Sequence, residues 1–367
     1  MTYTQNDLLK LAKRYNNPKR SYLLVDPLQG KHLAVSPTAA LNMMAALGDM
    51  LHEKYPTARL VIGFAETATA IGAAAAERLG DCKYIHTTRE DIAADSWLYF
   101  SEEHSHASEQ KLCADKLSEY AECTDTVILI DDEISTGKTL INIVERLRTV
   151  RGFEGKRIVA ASIISRVSEE NLARLEQAGI ISECLLKLPE EDYTSAVERF
   201  AVTGAEHTAS LSCTPESHTL TLADPRIGVD IKEYAQHCRT QAEILLDSIG
   251  DKIPTDGRIL VLGTEEFMYP ALILGRVMEA RGYTWVRSHS TTRSPIGICT
   301  AEDYPIREGY AIRSFYENGR ETFIYNPAQY DAAVIVTDGS NTEAVDDIAA
   351  VLARHGSPVM ILAEVHR

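Results

Sequence analysis

The sequence predicts an α/β protein with parallel sheets, and three observations predict it. Short, largely apolar runs recur at 60–64, 127–130, 157–164, 258–262 and 332–337, as expected of strands covered on both faces. Stretches of helical periodicity lie between them, for example Leu140, Ile143, Val144 and Leu147, spaced by three and four. The order strand, small polar loop, helix then repeats along the chain, which is how a sheet flanked by helices is wound.

Each element follows from local chemistry. Tyr22-Leu23-Leu24-Val25 reads as a strand, and 38–52 as a helix whose first turn suits Pro37 and Thr38. The run at 60–64 leads into an Ala-rich helix at 70–79, the run at 127–130 into a helix after Gly137, and a third strand follows at 157–164. Residues 203–224 lose periodicity and collect Thr, Ser and Gly. A helix at 230–249 then opens a second series: strand 258–262, helix 270–281, strands 284–287 and 332–337, helix 342–354 and strand 359–363. With 367 residues two domains are expected, assigned here as 1–203, a linker or excursion at 204–224, and 225–367.

Composition narrows the function. Thirty-seven basic against fifty-three acidic side chains give a net charge of -16, which repels a phosphate backbone and argues against nucleic-acid partners. The seven cysteines are scattered and form no C-x-x-C pair, so neither a disulfide framework nor a zinc knuckle is expected. There is no apolar stretch approaching eighteen residues and no basic region leading into an apolar core at the N-terminus, so a cytoplasmic protein without a membrane span is expected.

The strongest chemical signal is Val127-Ile128-Leu129-Ile130-Asp131-Asp132-Glu133-Ile134-Ser135-Thr136-Gly137-Lys138-Thr139. A buried strand delivers adjacent carboxylates to its carboxyl end, where open α/β sheets bind ligands. Asp131 and Asp132 suit the vicinal hydroxyls of a sugar and a positive charge developing on its ring. Backbone N–H groups of Ser135 to Thr139, at a helix start, suit a phosphate, and Gly137 permits a close turn. The Gly137-Lys138-Thr139 ending alone would fit a P-loop, but that motif needs glycine where Asp132 stands.

This segment resembles the PRPP-binding motif of type I phosphoribosyltransferases. The resemblance implies attack of a nitrogen nucleophile on ribose carbon 1 of PRPP, release of pyrophosphate with Mg²⁺, and a nucleotide-like product. It implies that Asp131 and Asp132 hold the ribose hydroxyls and meet Mg²⁺ directly or through water, while Glu133, Ile134 and Ser135 to Thr139 form the phosphate cradle. It places a pyrophosphate loop on Glu66, Thr67, Ala68 and Thr69. Within 86–111 it places a mobile loop in which Arg89 pairs with pyrophosphate and His104 or His106 binds the nucleophile or shuttles a proton. The His104-Ser105-His106 spacing also suits a metal on a strand face. Lys31 and His32 fall where this family carries a hood selecting the acceptor; solvated side chains in a turn are the alternative. A PRPP-binding regulator without catalysis is the rival reading, and a homodimer is one option for assembly.

Three further loops follow strands of the second domain: Gly263, Thr264, Glu265 and Glu266; Thr291, Thr292, Arg293 and Ser294; and Asp338, Gly339 and Ser340. Small residues, hydroxyls and one fixed cation at strand ends describe a crevice for an anionic, hydroxylated ligand. The Thr292-Arg293-Ser294-Pro295 run is similar to the signature of the TRSP domain, found behind a phosphoribosyltransferase domain in proteins associated with tellurite-resistance and stress gene clusters. The implied architecture is a type I phosphoribosyltransferase sheet followed by a Rossmann-like α/β domain, and a bifunctional enzyme whose second part processes the ribotide is a further alternative.

Overall fold

A computed structural model describes residues 2–17, 20–101, 110–207 and 214–367. The chain forms two compact units, and no single cut separates them. The first comprises 42–191 and 223–236 with the first few residues; the second comprises 6–41, 192–222 and 237–367. Among the described residues no helix is long and apolar enough to cross a membrane.

The first unit is built on a six-stranded sheet in the order Val229–Asp230, Lys83–His86, Leu60–Gly63, Thr126–Ile134, Arg157–Ser165, Ile180–Lys187. All pairs are parallel except the edge strand Val229–Asp230, which runs antiparallel to Lys83–His86. Strand Leu60–Gly63 and residues 127–130 of Thr126–Ile134 are buried throughout, as their apolar runs require. The helix Thr69–Leu79 lies close on the sheet because Gly72 and Gly63 lack side chains. A Cβ on Gly72 would sit 2.9 Å from the Tyr84 ring and 3.1 Å from the Gly63 Cα.

One inequality of strand length makes the crevice. Leu60–Gly63 ends opposite Ile130, whereas Thr126–Ile134 continues along its other neighbour, pairing Asp131 with Ser162 and Ile134 with Ser165. The acidic segment therefore extends past the end of one neighbour while still held by the other.

The second unit carries a five-stranded, all-parallel sheet in the order Glu216–Thr221, Val359–His366, Ala332–Thr337, Arg258–Gly263, Trp285–Ser290. From Arg258–Gly263 the chain moves outward to Trp285–Ser290, then returns to Ala332–Thr337 on the opposite side. The strand order reverses between Arg258–Gly263 and Ala332–Thr337, the position where such sheets open a crevice. A three-stranded sheet of Glu206–His207, Gly309–Arg313 and Glu321–Tyr325, and the pair Lys10–Lys13 with Tyr22–Val25, complete the unit.

Residues 204–224, expected as a linker or excursion, supply Glu216–Thr221 as a sheet strand. Among the described residues it has one neighbour, and it is largely exposed, so it lacks the apolar run that marks an interior strand. The segment 86–111, expected as one long loop, contains strand Trp97–Phe100, which pairs antiparallel with Gln110–Cys113 at the end of the segment.

Candidate functional site

In the first unit, Phe64 N–H donates to the Ile130 carbonyl at 2.9 Å, and from there the chain turns through Ala65 to Ala68 beside the acidic segment. A buried polar triangle fixes this turn. The Thr87 hydroxyl accepts from Ala65 N–H at 2.9 Å and donates to Gln110 Oε1 at 2.6 Å, while Gln110 Nε2 donates to the Ala65 carbonyl at 2.8 Å. Thr87 and Gln110 are buried, and the Ala65–Glu66 peptide is cis. Glu66 and Thr67 are half-buried, Ala68 and Thr69 buried. The Ala68 N–H is used within the turn, bonding the Phe64 carbonyl at 3.0 Å, so it does not face an anion.

The acids differ in their surroundings. Arg166 Nε holds Glu133 Oε1 at 2.5 Å, both side chains mostly shielded. Asp132 N–H bonds Asp131 Oδ1 at 2.9 Å. Burial pushes the Asp132 carboxyl above its ordinary value and the Glu133 charge adds to this, while hydrogen bonds from Asp131 and Thr67 oppose it. The strand then gives way to the turn at Ser135 and Thr136 and to helix Lys138–Leu147, with Gly137 at φ 74°. That left-handed backbone favours glycine, and a Cβ there would meet the Leu175 side chain at 2.8 Å. Ile134 is a core side chain, 2% exposed, so only its backbone lies in the segment. Ser135, Thr136 and Thr139 are half-buried and Lys138 is exposed. Arg89 is half-buried beside the bridge between Thr88 and Lys111. His104 and His106 lie outside the described residues. Among the described residues no group of three or more His, Cys, Asp or Glu side chains is placed to hold a metal.

The second unit gathers its polar loops at the reversal of its strand order. Thr264 Oγ1 lies 2.9 Å from Thr337 Oγ1 and 3.0 Å from the Tyr316 hydroxyl, which donates to Asp338 Oδ1 at 2.5 Å. Asp338 also pairs with Arg367. Glu265 is fully buried and has φ 45°, a backbone conformation that a non-glycine residue adopts at a cost. Its Oε1 accepts from Ser314 Oγ at 2.6 Å. Its Oε2 faces Arg320 at 3.6 Å and Arg293 at 3.9 Å, and Arg293 lies 4.0 Å from Glu266.

Lys31 and His32, expected in an acceptor hood or in a solvated turn, are neither solvated nor in the first unit. Both are buried in the second, where Lys31 Nζ donates to the main-chain carbonyls of Glu265, at 2.5 Å, and Thr291, at 2.9 Å. The segment is docked along strand Trp285–Ser290 by Val35 N–H to Ser288 O and Ser288 N–H to Val35 O. Nothing local marks this pairing, which spans more than 250 residues of sequence.

Residues 8–186 match the model of a family described as phosphoribosyl transferase, and residues 224–352 that of the TRSP domain found C-terminal to it. The chain is a phosphoribosyltransferase of this two-part family. Comparison with curated protein sequences gives no match. Solved structures to which it is similar include adenine phosphoribosyltransferase from Giardia lamblia with 9-deazaadenine, at 16% identity, covering 50% of this chain and 95% of that one, with a TM-score of 0.39. The adenine enzyme from Rhodothermus marinus gives 15%, 50%, 96% and 0.36. Orotate phosphoribosyltransferase from Aeropyrum pernix gives 20%, 41%, 71% and 0.26.

In this phosphoribosyltransferase the acids, the 65–68 turn and the Gly137 turn meet at one end of the first sheet. Sequence reasoning missed Thr87, Gln110 and Arg166, which fix that end. It also missed Ser314, Tyr316, Arg320 and His289 of the second unit. Ser340 is exposed and Gly339 packs on Phe315, where a Cβ would lie 2.4 Å from a carbonyl oxygen.

Thr87→Val keeps the shape of the side chain and removes both hydrogen bonds of its hydroxyl. It is expected to destabilise the protein by about 1–3 kcal/mol, the cost of buried partners left unmatched, and to weaken PRPP binding by loosening the turn. Urea unfolding and calorimetry of the variant check this; wild-type affinity would detach the triangle from the site.

His289 gives a pH signature. Its imidazole sits at about 4 rather than 6.5, because burial, together with the Lys31 charge, outweighs a backbone hydrogen bond with His32 that works the other way. As pH falls from 6.5 towards 4 the unfolded chain takes up a proton that the folded chain refuses, so stability present above 6.5 is lost over that window. A shift of this size corresponds to about 3 kcal/mol. Urea titrations between pH 7 and 4 are expected to show a shallower decline for His289→Gln; parallel curves would assign the decline to other groups.

Proposed function

We propose that the first unit transfers the phosphoribosyl group of PRPP to a small nitrogenous acceptor, forming a nucleotide-like product and pyrophosphate. The observation that carries this reading is the delivery of Asp131 and Asp132 beyond the end of Leu60–Gly63, opposite the turn at 65–68. Carboxylates there accept from ribose hydroxyls and stabilise the positive charge that grows on the ring as the bond to pyrophosphate lengthens. Backbone N–H groups of the Ser135 to Thr139 turn receive the 5-phosphate, with Thr136 and Thr139 adding hydroxyls. Glu66, Thr67 and Thr69 border the pyrophosphate, and Arg89 is placed to offset its charge.

The donor set fits Mg²⁺. Asp131 and Asp132 are hard oxygen ligands, and burial opposes the Asp132 charge that a bound cation would favour. When bound, the ion neutralises the departing pyrophosphate. Arg166 offsets the charge of Glu133.

The test is incubation with PRPP, Mg²⁺ and a panel of nitrogenous bases and amines, followed by pyrophosphate release. Acceptor-dependent release is the expected result. PRPP binding without release for any acceptor would favour the regulatory reading.

A further inference from the structure

We propose that Asn142 is a positioning residue for phosphoribosyl transfer, holding the turn at 65–68 and the turn before helix Lys138–Leu147 at the separation that PRPP spans. This rests on the assignment of PRPP to the first unit made above. The argument starts from an amide that its helix does not need. Leu140, Ile143, Val144 and Leu147 make the buried face of that helix, and asparagine is a poor helix former. Asn142, half-buried, uses its Nδ2 outside the helix, donating to the Ser101 carbonyl at 3.0 Å and to the Ser101 hydroxyl at 3.2 Å. An amide nitrogen carries two protons, so both bonds form at once.

Ser101 ends a strand pair that grips the other turn. Phe100 and Gln110 stand opposite each other where Trp97–Phe100 pairs with Gln110–Cys113, so their side chains leave from the same face. The Phe100 ring, buried, meets Phe64 edge-on, with centroids 6.1 Å apart and planes at 85°. Gln110 bonds the carbonyl of Ala65, the next residue along. Two consecutive residues at the entrance to the 65–68 turn are therefore held by one register pair. Lys111, beside Gln110, fastens the pair to the end of the sheet through reciprocal backbone hydrogen bonds with Thr88, at 2.9 and 3.1 Å.

The strand pair is thus a brace, fastened to Thr88, to Phe64 and Ala65 at one turn, and to Asn142 in the helix that starts from the other. Asn142 has no place in the phosphate cradle itself and acts through Ser101. A ligand that touches one turn is indifferent to where the other lies. A ligand that bridges both loses affinity when their separation varies, because its second contact is then made at a lower effective concentration. In the proposed pose PRPP bridges the two turns, whereas ribose 5-phosphate and pyrophosphate each occupy one.

The experiment is calorimetry of the full chain with PRPP, ribose 5-phosphate and pyrophosphate, each with Mg²⁺, on wild type and Asn142→Leu. Leucine keeps the size of the side chain, favours the helix and removes both donors. PRPP is expected to bind the variant about five- to tenfold more weakly, within what two ordinary hydrogen bonds contribute. Ribose 5-phosphate and pyrophosphate are expected to keep their affinities to within about twofold, since neither spans the brace. Asn142→Asp, which sets a carboxylate against the Ser101 carbonyl, is expected to show the same split and carries the test if the leucine variant folds poorly. Unchanged PRPP binding would overturn the inference, and so would a parallel loss for all three ligands, the mark of a merely structural residue. Wild-type protein that binds none of the three would remove the reading of the first unit on which the inference rests, and the inference with it.

Discussion

The full chain with Asp131→Asn and Asp132→Asn is expected to release pyrophosphate about 100- to 1000-fold more slowly than wild type, the usual consequence of losing a group that stabilises transition-state charge. Asparagine keeps the shape of each side chain and an acceptor oxygen, so PRPP still has partners for its hydroxyls. What disappears is negative charge facing the ring. Because that charge matters most when the ring is cationic, turnover should fall more than ground-state affinity. Steady-state pyrophosphate assays provide both readings. An unchanged rate would remove the acidic pair from the chemistry.

The second large effect is on stability. Phe315→Ala is expected to cost about 3–5 kcal/mol, as for other fully buried aromatic side chains cut to alanine. Phe315 is 0% exposed and packs in the cluster that includes Leu262, Ile335 and Ile348. Its neighbours in sequence both reach the second-unit crevice, Ser314 to Glu265 and Tyr316 to Asp338, while Gly339 presses on its backbone. Loss of the ring should therefore lower the urea midpoint and loosen both contacts at once. Urea unfolding followed by tryptophan fluorescence checks this, since Trp285 packs against the same cluster. A loss below 1 kcal/mol would show that the surroundings collapse to fill the space.

Much of the fold was legible because interior parallel strands have no alternative to a continuous apolar run. Ala332–Thr337 and helix Thr342–Arg354 lie where periodicity predicts them. The same clarity located Asp131 and Asp132, since acids immediately behind a buried strand stand out. Elements with one neighbour were hidden: Glu216–Thr221 alternates exposed polar residues and reads as loop. Partners brought together by topology were hidden as well. Thr87 and Gln110 meet because two short strands run beside one turn. Arg320 reaches Glu265 from the turn that joins Gly309–Arg313 to Glu321–Tyr325. Lys31 gives no local sign that its carbonyl partners lie more than 230 residues away.

The interleaving of the second unit bears on how the chain is born. Among the described residues, strand Glu216–Thr221 pairs with Val359–His366 and with no other strand of its sheet, and Lys31 has its place only once Glu265 and Thr291 exist. A ribosome adding roughly 5–20 residues per second leaves Glu216–Thr221 without its neighbour for on the order of 10–30 s. Over that interval the nascent polypeptide exposes an unpaired strand and an unplaced ammonium-bearing segment. The second unit thus completes its sheet only after Val359–His366 has been made, and from separated pieces of the chain.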